Sequence, residues 1–256
     1  MSVEPKQSLS TAGQILGATN VSAGYDGRAI VHDVNLEARP GKVVSIVGPN
    51  GSGKSTLLKS LVGVVPILGG KVMLGESEIT NFPSETVATM GVGYVPQIDD
   101  VFPPLTVKEN LEIGGYLLGR HEVGPRMDAV LEFFPRLKSM MSRRAGKLSG
   151  GERKMLAMGR VLMLTPSVLV LDEPTANLAP LVATQLLEEY IRGFAESGST
   201  VLLVEQRAKA ALRISDWTLV LGGGRIVLEG APQDLADNPV FVESFLGGGA
   251  RKDGTK

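Results

Sequence analysis

The chain of 256 residues contains no cysteine, which excludes disulfides and thiolate metal sites and fits a reducing compartment. Charge of one sign is missing too. Lys and Arg number 26 against 27 Asp and Glu, a net charge of −1, so no broad basic field points to nucleic acid as a partner. No apolar stretch approaches the length that spans a bilayer. The start, Met1-Ser2-Val3-Glu4-Pro5-Lys6-Gln7, is polar and lacks the apolar segment of a signal peptide. These absences lead us to expect a cytosolic protein whose membrane role, if any, comes through a partner. With 43% hydrophobic and 21% charged residues, the chain has the make-up of a globular domain with a sizeable core.

What is present centres on Gly48, Pro49, Asn50, Gly51, Ser52, Gly53, Lys54, Ser55 and Thr56. The apolar, β-branched run Val43-Val44-Ser45-Ile46-Val47 precedes it, and helical apolar spacing follows through Leu57, Leu58 and Leu61. Strand, G-x-x-x-x-G-K-[ST] and helix together make a phosphate loop. Glycines let backbone N–H groups converge on an anion, and the helix start points its positive end at the same place. Lys54 is suited to reach the β- and γ-phosphates, and the Ser55 hydroxyl to ligate Mg²⁺. The plain alternative is an ordinary glycine turn with a solvated lysine.

Along the chain, short strands are expected at 15–21, 29–38, 71–74, 92–95, 167–171 and 200–204, and a hairpin at 217–228. Residues 24–27 read as a turn. Residues 106–164 are mostly helical, with Thr106 as N-cap, a helix at 127–134 stopped by Pro135, and another at 152–163; a further helix covers 182–194. Continuous apolar strands alternating with helices predict an α/β fold with a mainly parallel sheet covered on both faces. The early alternating strands predict a smaller antiparallel layer, and the helical block an inserted subdomain at about 98–164. Polar tails are expected at 1–14 and 247–256, flanking a domain at 15–246.

Two further stretches carry chemistry. Val168-Leu169-Val170-Leu171-Asp172-Glu173 is an apolar strand ending in two acids, at the end where α/β sheets bind ligands. Asp172 is suited to hold Mg²⁺, directly or through water, opposite Ser55, and Glu173 to orient or deprotonate the attacking water. Leu148-Ser149-Gly150-Gly151-Glu152 opens a helix. Ser149 and Glu152 form a capping box, and Ser149, Gly150 and Gly151 also make a second anion site without its own lysine. Two phosphate-binding surfaces on one chain suggest a head-to-tail dimer with each nucleotide held between two chains.

GPNGSGKST, LSGGE and LVLDEP, in this order with a helical insertion between, resemble the ATP-binding subunits of ABC transporters over nearly the whole chain. The resemblance implies a P-loop NTPase (RecA-like) core that hydrolyses ATP with Mg²⁺. It implies Tyr25 as the ring stacking on adenine, and Gln97 as the glutamine that contacts Mg²⁺ and the attacking water and links to the helical subdomain. Two positions depart from the family pattern. Ala179 stands where an aspartate is usual, and Gln206 where a histidine contacts the γ-phosphate. The only histidines, His32 and His121, lie elsewhere and read as solvated or structural. Gln206 can donate through its amide but carries no charge.

Asn177-Leu178-Ala179-Pro180, Val204-Glu205-Gln206, Gly-Arg-Ile-Val-Leu-Glu-Gly-Ala-Pro at 224–232 and the ending at 238–247 are similar to the branched-chain amino acid importer subgroup. Its relatives serving urea or short amides are the alternative, and a soluble ABC-type regulator is a further one. The resemblance implies three partners: a second ATP-binding subunit, identical or related, integral membrane permease subunits, and indirectly a solute-binding protein. It places the protein on the inner face of the plasma membrane. Val101-Phe102-Pro103-Pro104-Leu105 reads either as a docking patch for the membrane subunit or as a loop folded onto its own domain.

Overall fold

The computed structural model describes residues 12–98 and 100–241. The expected ending at 238–247 lies largely outside them, as do the C-terminal tail and most of the N-terminal one. Strands β1 (Leu16–Tyr25), β2 (Arg28–Ala38), β4 (Ile67–Leu74) and β5 (Ser77–Glu78) form an antiparallel sheet in the order β2-β1-β4-β5. Strands β3 (Val43–Val47), β6 (Val92–Val95), β7 (Val168–Asp172), β8 (Thr200–Glu205), β9 (Trp217–Gly222) and β10 (Arg225–Gly230) form the main sheet. Its order is β10-β9-β3-β8-β7-β6, with β10 alone antiparallel.

The continuous apolar strands follow from burial on both faces. Val168, Val170, Leu202 and Val204 pack toward the antiparallel sheet with Leu16, Val34 and Leu57. Their neighbours Leu169, Leu171, Val201 and Leu203 pack into the helical layer with Leu156, Phe134 and Ile191. Each such fully buried side chain contributes about 1.5–3 kcal/mol from burial. In the helical layer Phe133 and Phe134 meet edge to face, with ring centroids 4.9 Å apart, and Tyr190 closes the cluster at 4.9 Å from Phe134.

Between β6 and β7 the chain is helical: Val107–Gly114, Arg120–Phe133, Pro135–Lys138 and Gly150–Leu162. Thr106 and Glu109 form the expected capping box. The second of these helices begins at Arg120 rather than 127 and runs through Pro125, where water can reach the carbonyl that proline leaves without its helical donor, because His121 and Pro125 are exposed. Pro135 starts a short helix rather than only ending one, since proline is favoured in a first turn. The expected continuous helix at 182–194 contains a π segment, Leu186–Ile191. Gln14, assigned to the N-terminal tail by its position, is tied down. Its amide donates to Ser167 Oγ at 3.1 Å, and its carbonyl accepts from Thr200 Oγ1 at 2.6 Å. Helices Ser84–Thr89, Ala208–Ile214 and Pro232–Ala236 were not anticipated; each is short, and propensity is weak over so few residues.

Candidate active site

Parallel pairing of β6, β7, β8 and β3 brings four carboxyl ends to one edge of the sheet. Val95 pairs with Leu171, Asp172 with Val204, and Val47 with Glu205. Gln97, Glu173, Gln206 and the loop after Val47 therefore emerge together, where an open α/β sheet forms its ligand crevice.

The loop leaves β3 at Gly48 and enters helix Lys54–Leu61 through Gly53, whose φ of +99° no ordinary L-residue holds cheaply. A Cβ on Gly48 would lie 2.2 Å from the Leu221 carbonyl. Within this tight turn Ser52 Oγ is buried and has no hydrogen-bond partner among the described residues. Native interiors rarely leave such an atom alone, so the loop has the capacity to bind a ligand oxygen. Lys54 is buried. Its ammonium donates to the carbonyls of Gly48 at 3.0 Å and Pro49 at 3.1 Å, and lies 3.8 Å from Glu173 Oε1.

Ser55 Oγ donates to Asp172 Oδ1 at 2.9 Å, and Tyr94 donates its hydroxyl to Asp172 Oδ2 at 3.4 Å. Burial, with the Asp172 charge second, holds the Tyr94 phenol well above its usual range, so it remains a donor. Gln97 Nε2 donates to Glu173 Oε2 at 2.7 Å. Glu173 itself sits at φ +45°, an unusual conformation for a residue other than glycine. Among the described residues no three His, Cys, Asp or Glu side chains gather as a metal cage. The Ser55–Asp172 pair does suit Mg²⁺, which takes one or two carboxylates and completes its shell with phosphates and water.

A polar cavity of about 270 Å³ is lined by Gln97, Glu173, Thr175, Asn177, Glu205 and Gln206. Buried Glu205 accepts from the Thr175 amide at 3.1 Å and its hydroxyl at 2.6 Å, bracing the turn that carries Glu173. Burial pushes the Glu205 carboxyl up, against the pull of these bonds, and the charge of Glu173 pushes the same way. Gln206 is exposed at the cavity's edge.

Residues 31–176, more than half of the chain, match the ABC transporter family model. The chain belongs to the ABC transporter family. It is therefore an ATPase on a P-loop NTPase fold. A probable branched-chain amino acid transport ATP-binding protein, LivF of Archaeoglobus fulgidus, is 42% identical over 91% of this chain and 99% of its own length. The high-affinity branched-chain amino acid transport ATP-binding protein BraG of Pseudomonas aeruginosa is 42% identical over 91% of this chain and all of its own. The ADP conformation of an ATP-binding cassette from an ABC transporter superposes with a TM-score of 0.82 at 30% identity, covering 91% of this chain and 99% of that one.

In this ABC transporter chain the glycine turn at 149–151 stands apart from the crevice. Ser149 N–H donates to Glu152 Oε2 at 2.7 Å, and Glu152 N–H donates to Ser149 Oγ at 3.4 Å, a complete capping box. Gly150 and Gly151 open the helix Gly150–Leu162. A Cβ on Gly151 would meet Val182 Cγ1 at 2.5 Å; Gly150 is exposed, and a Cβ there would meet Leu178 Cδ2 at 3.1 Å. Among the described residues no hydrogen bond links this turn to the phosphate loop. Tyr25 ends β1 instead of sitting free in a turn, and its ring is 45% exposed. Ala179 is the N-cap of helix Pro180–Gln185, so the missing carboxylate leaves that helix start without a side-chain cap.

Tyr94, Thr175 and Glu205 were not singled out from the sequence. Tyr94 and Glu205 lie inside or at the end of apolar strands, where nothing local marks them as polar partners of distant residues.

Proposed function

We propose that the protein is the ATP-hydrolysing subunit of an importer for branched-chain amino acids. The observation that carries this reading is the match to LivF and BraG across nearly the full length of all three chains. Tyr25 would stack on adenine, and residues 48–56 would cradle the phosphates of ATP with Lys54 on the terminal ones. Ser55 and Asp172 would hold Mg²⁺, with Gln97 beside it; the ion, when bound, neutralises charge on the phosphate oxygens. Gln97 orients the Glu173 carboxylate through the 2.7 Å bond, and Glu173 takes a proton from the attacking water. Gln206 donates its amide to the γ-phosphate in place of a charged group.

Ser149, Gly150 and Gly151 of a second ATP-binding subunit would close over the same nucleotide. Hydrolysis then removes the γ-phosphate contacts and reopens the pair. A groove of about 420 Å³ between the core and the helical insertion, lined by Val64, Val87, Ile113, Tyr116, Arg160 and Val161, is the surface we assign to the membrane permease. Tyr116 stands 73% exposed there. The stretch at 101–105 contributes less than its composition suggests. Val101 is in the core, and Phe102 lies under the Arg160 guanidinium, 4.5 Å from its ring centroid. Among the described residues no helix is long and apolar enough to cross a membrane. The importer reading, through LivF and BraG, is what supports a peripheral place on the inner face. The test is Mg-ATP hydrolysis by the purified chain and by Glu173→Gln. Retained nucleotide binding with lost turnover is expected; turnover at the parental rate would refute the assigned chemistry.

A further inference from the structure

The helix Gly150–Leu162 carries a buried charge that the hydrolysis chemistry does not use. Lys154 is only 4% exposed. Its ammonium donates to the carbonyls of Pro96 at 3.2 Å and Gln97 at 2.9 Å, and lies 2.7 Å from Asp100 Oδ2. The last approach is off the hydrogen-bond angle, leaving that oxygen without a formal donor, so the contact is an ion pair. An ammonium has three N–H donors and no acceptor, and here it faces three oxygens of one short stretch of chain. Asp100 is itself buried, and Arg153 Nε approaches its other oxygen at 3.6 Å. Two turns further along the same helix, Arg160 Nη1 donates to the Asp100 carbonyl at 2.6 Å and covers the Phe102 ring.

A buried pair of this kind is a poor source of net stability, because desolvation offsets most of its attraction. Apolar side chains would fill the same space at lower cost. What the charges do achieve is geometric. The backbone of Gln97 is fixed to the helix that begins at Ser149–Gly150, while its side chain is fixed to Glu173 Oε2.

We propose that Lys154 is a positioning residue that makes the Gln97 segment and the helix carrying Ser149, Gly150 and Gly151 move as one body, so that displacement of that helix moves the amide orienting Glu173. Pro96, Asp100 and Arg160 also line the groove assigned to the membrane subunit, so an occupant of that groove presses on the same linkage. The proposal rests on the ATPase reading for its consequence but not for its geometry, and the two fail separately.

The experiment begins with hydrogen exchange of the full chain without nucleotide. The Phe102 amide, which donates to Asn110 Oδ1 at 2.8 Å, and the segment 96–102 report on the linkage. Lys154→Met should speed their exchange about tenfold or more, and Lys154→Arg should restore it substantially. Unchanged exchange in Lys154→Met would overturn the proposal. The second readout is a kinetic cycle with Gln97→Ala. Lys154→Met alone should lower kcat about tenfold with KM within about twofold, and should cost nothing further once Gln97 is already alanine. Independent, multiplying losses would mean that Lys154 does not act through Gln97. If Lys154→Met fails to fold, Asp100→Asn/Lys154→Met removes both buried charges, still frees the two carbonyls, and is read the same way. Failure of the ATPase reading would show elsewhere, as turnover that survives Glu173→Gln.

Discussion

The turns at 48–53 and 149–151 are both glycine-rich and both feed a helix, but they handle their polar groups differently. The first lies at the focus of four parallel strand ends, buries Lys54, and leaves Ser52 Oγ without a partner. The second is exposed, and its serine is already bonded to Glu152 in both directions. One turn is a pocket within a single chain. The other is an exposed surface, which in the function proposed above becomes part of a site when a second subunit meets it. On that reading the same local chemistry, glycine plus a helix start, serves two purposes according to where the sheet puts it.

The largest expected effect belongs to the pocket. Glu173→Gln keeps the shape and the neighbour Gln97 but removes the proposed proton acceptor, so kcat in a phosphate-release assay should fall by about 10²-fold or more. Nucleotide affinity by fluorescence titration should stay within a few-fold of the parent. Next comes the surface turn. Gly150→Asp places a negative charge at a helix N-terminus, which by itself favours the helix by about 0.3–1 kcal/mol. The same charge would face phosphate across a subunit interface. Its Cβ would meet Leu178 Cδ2 at 3.1 Å, and that side chain must yield slightly to admit it, so the variant should melt close to the parent, yet lose ATP-dependent dimerisation in analytical ultracentrifugation. A retained dimer would show that the turn is a helix cap and nothing more.

Gln206→Ala removes a neutral donor worth about 1 kcal/mol, so turnover should drop only about fivefold. No loss at all would show that the side chain is dispensable.

The smallest effects are the pH dependences of stability, and they run in opposite directions in the two regions. Burial raises Glu205 above its ordinary 4.5. The fold therefore favours its protonated form, and that stability is complete below about pH 4.5 and lost as pH rises through the raised value. Glu205→Gln should gain on the parent in melting temperature as pH increases through this range. The Ser149 amide holds Glu152 below its ordinary 4.5, so its stability is present above about pH 4.5 and lost as pH falls through the lowered value. Glu152→Gln should melt below the parent at neutral pH and converge with it in acid. Melting curves in a single set of buffers would measure both.

Much of the pocket is legible in order along the chain, because a phosphate loop is a local object: its strand, its glycines, its lysine and its helix are contiguous. The acids at the end of β7 are legible for the same reason, and the capping boxes at Thr106 and Ser149 span only three residues each. The roles of Tyr94, Glu205 and Lys154 have no local mark because their partners are far away: Tyr94 meets Asp172 across 78 residues, Glu205 meets Thr175 across 30, and Lys154 meets Gln97 across 57. Nor does composition distinguish Val101 as core from Phe102 as exposed; both are apolar, and the difference is which side of the backbone faces Val107 and Leu111 in the helical layer.

Periodicity and spacing were enough for the class of fold, the nucleotide loop and the pair of acids, since each depends on residues that are neighbours in the chain. The tertiary structure alone decided that Gln97 holds Glu173, that Glu205 braces the turn beneath it, and that a buried lysine ties this assembly to the second glycine turn. Those contacts exist because parallel strands deliver distant segments to one edge, where burial makes an unpaired charge or donor costly and so selects the partner that satisfies it.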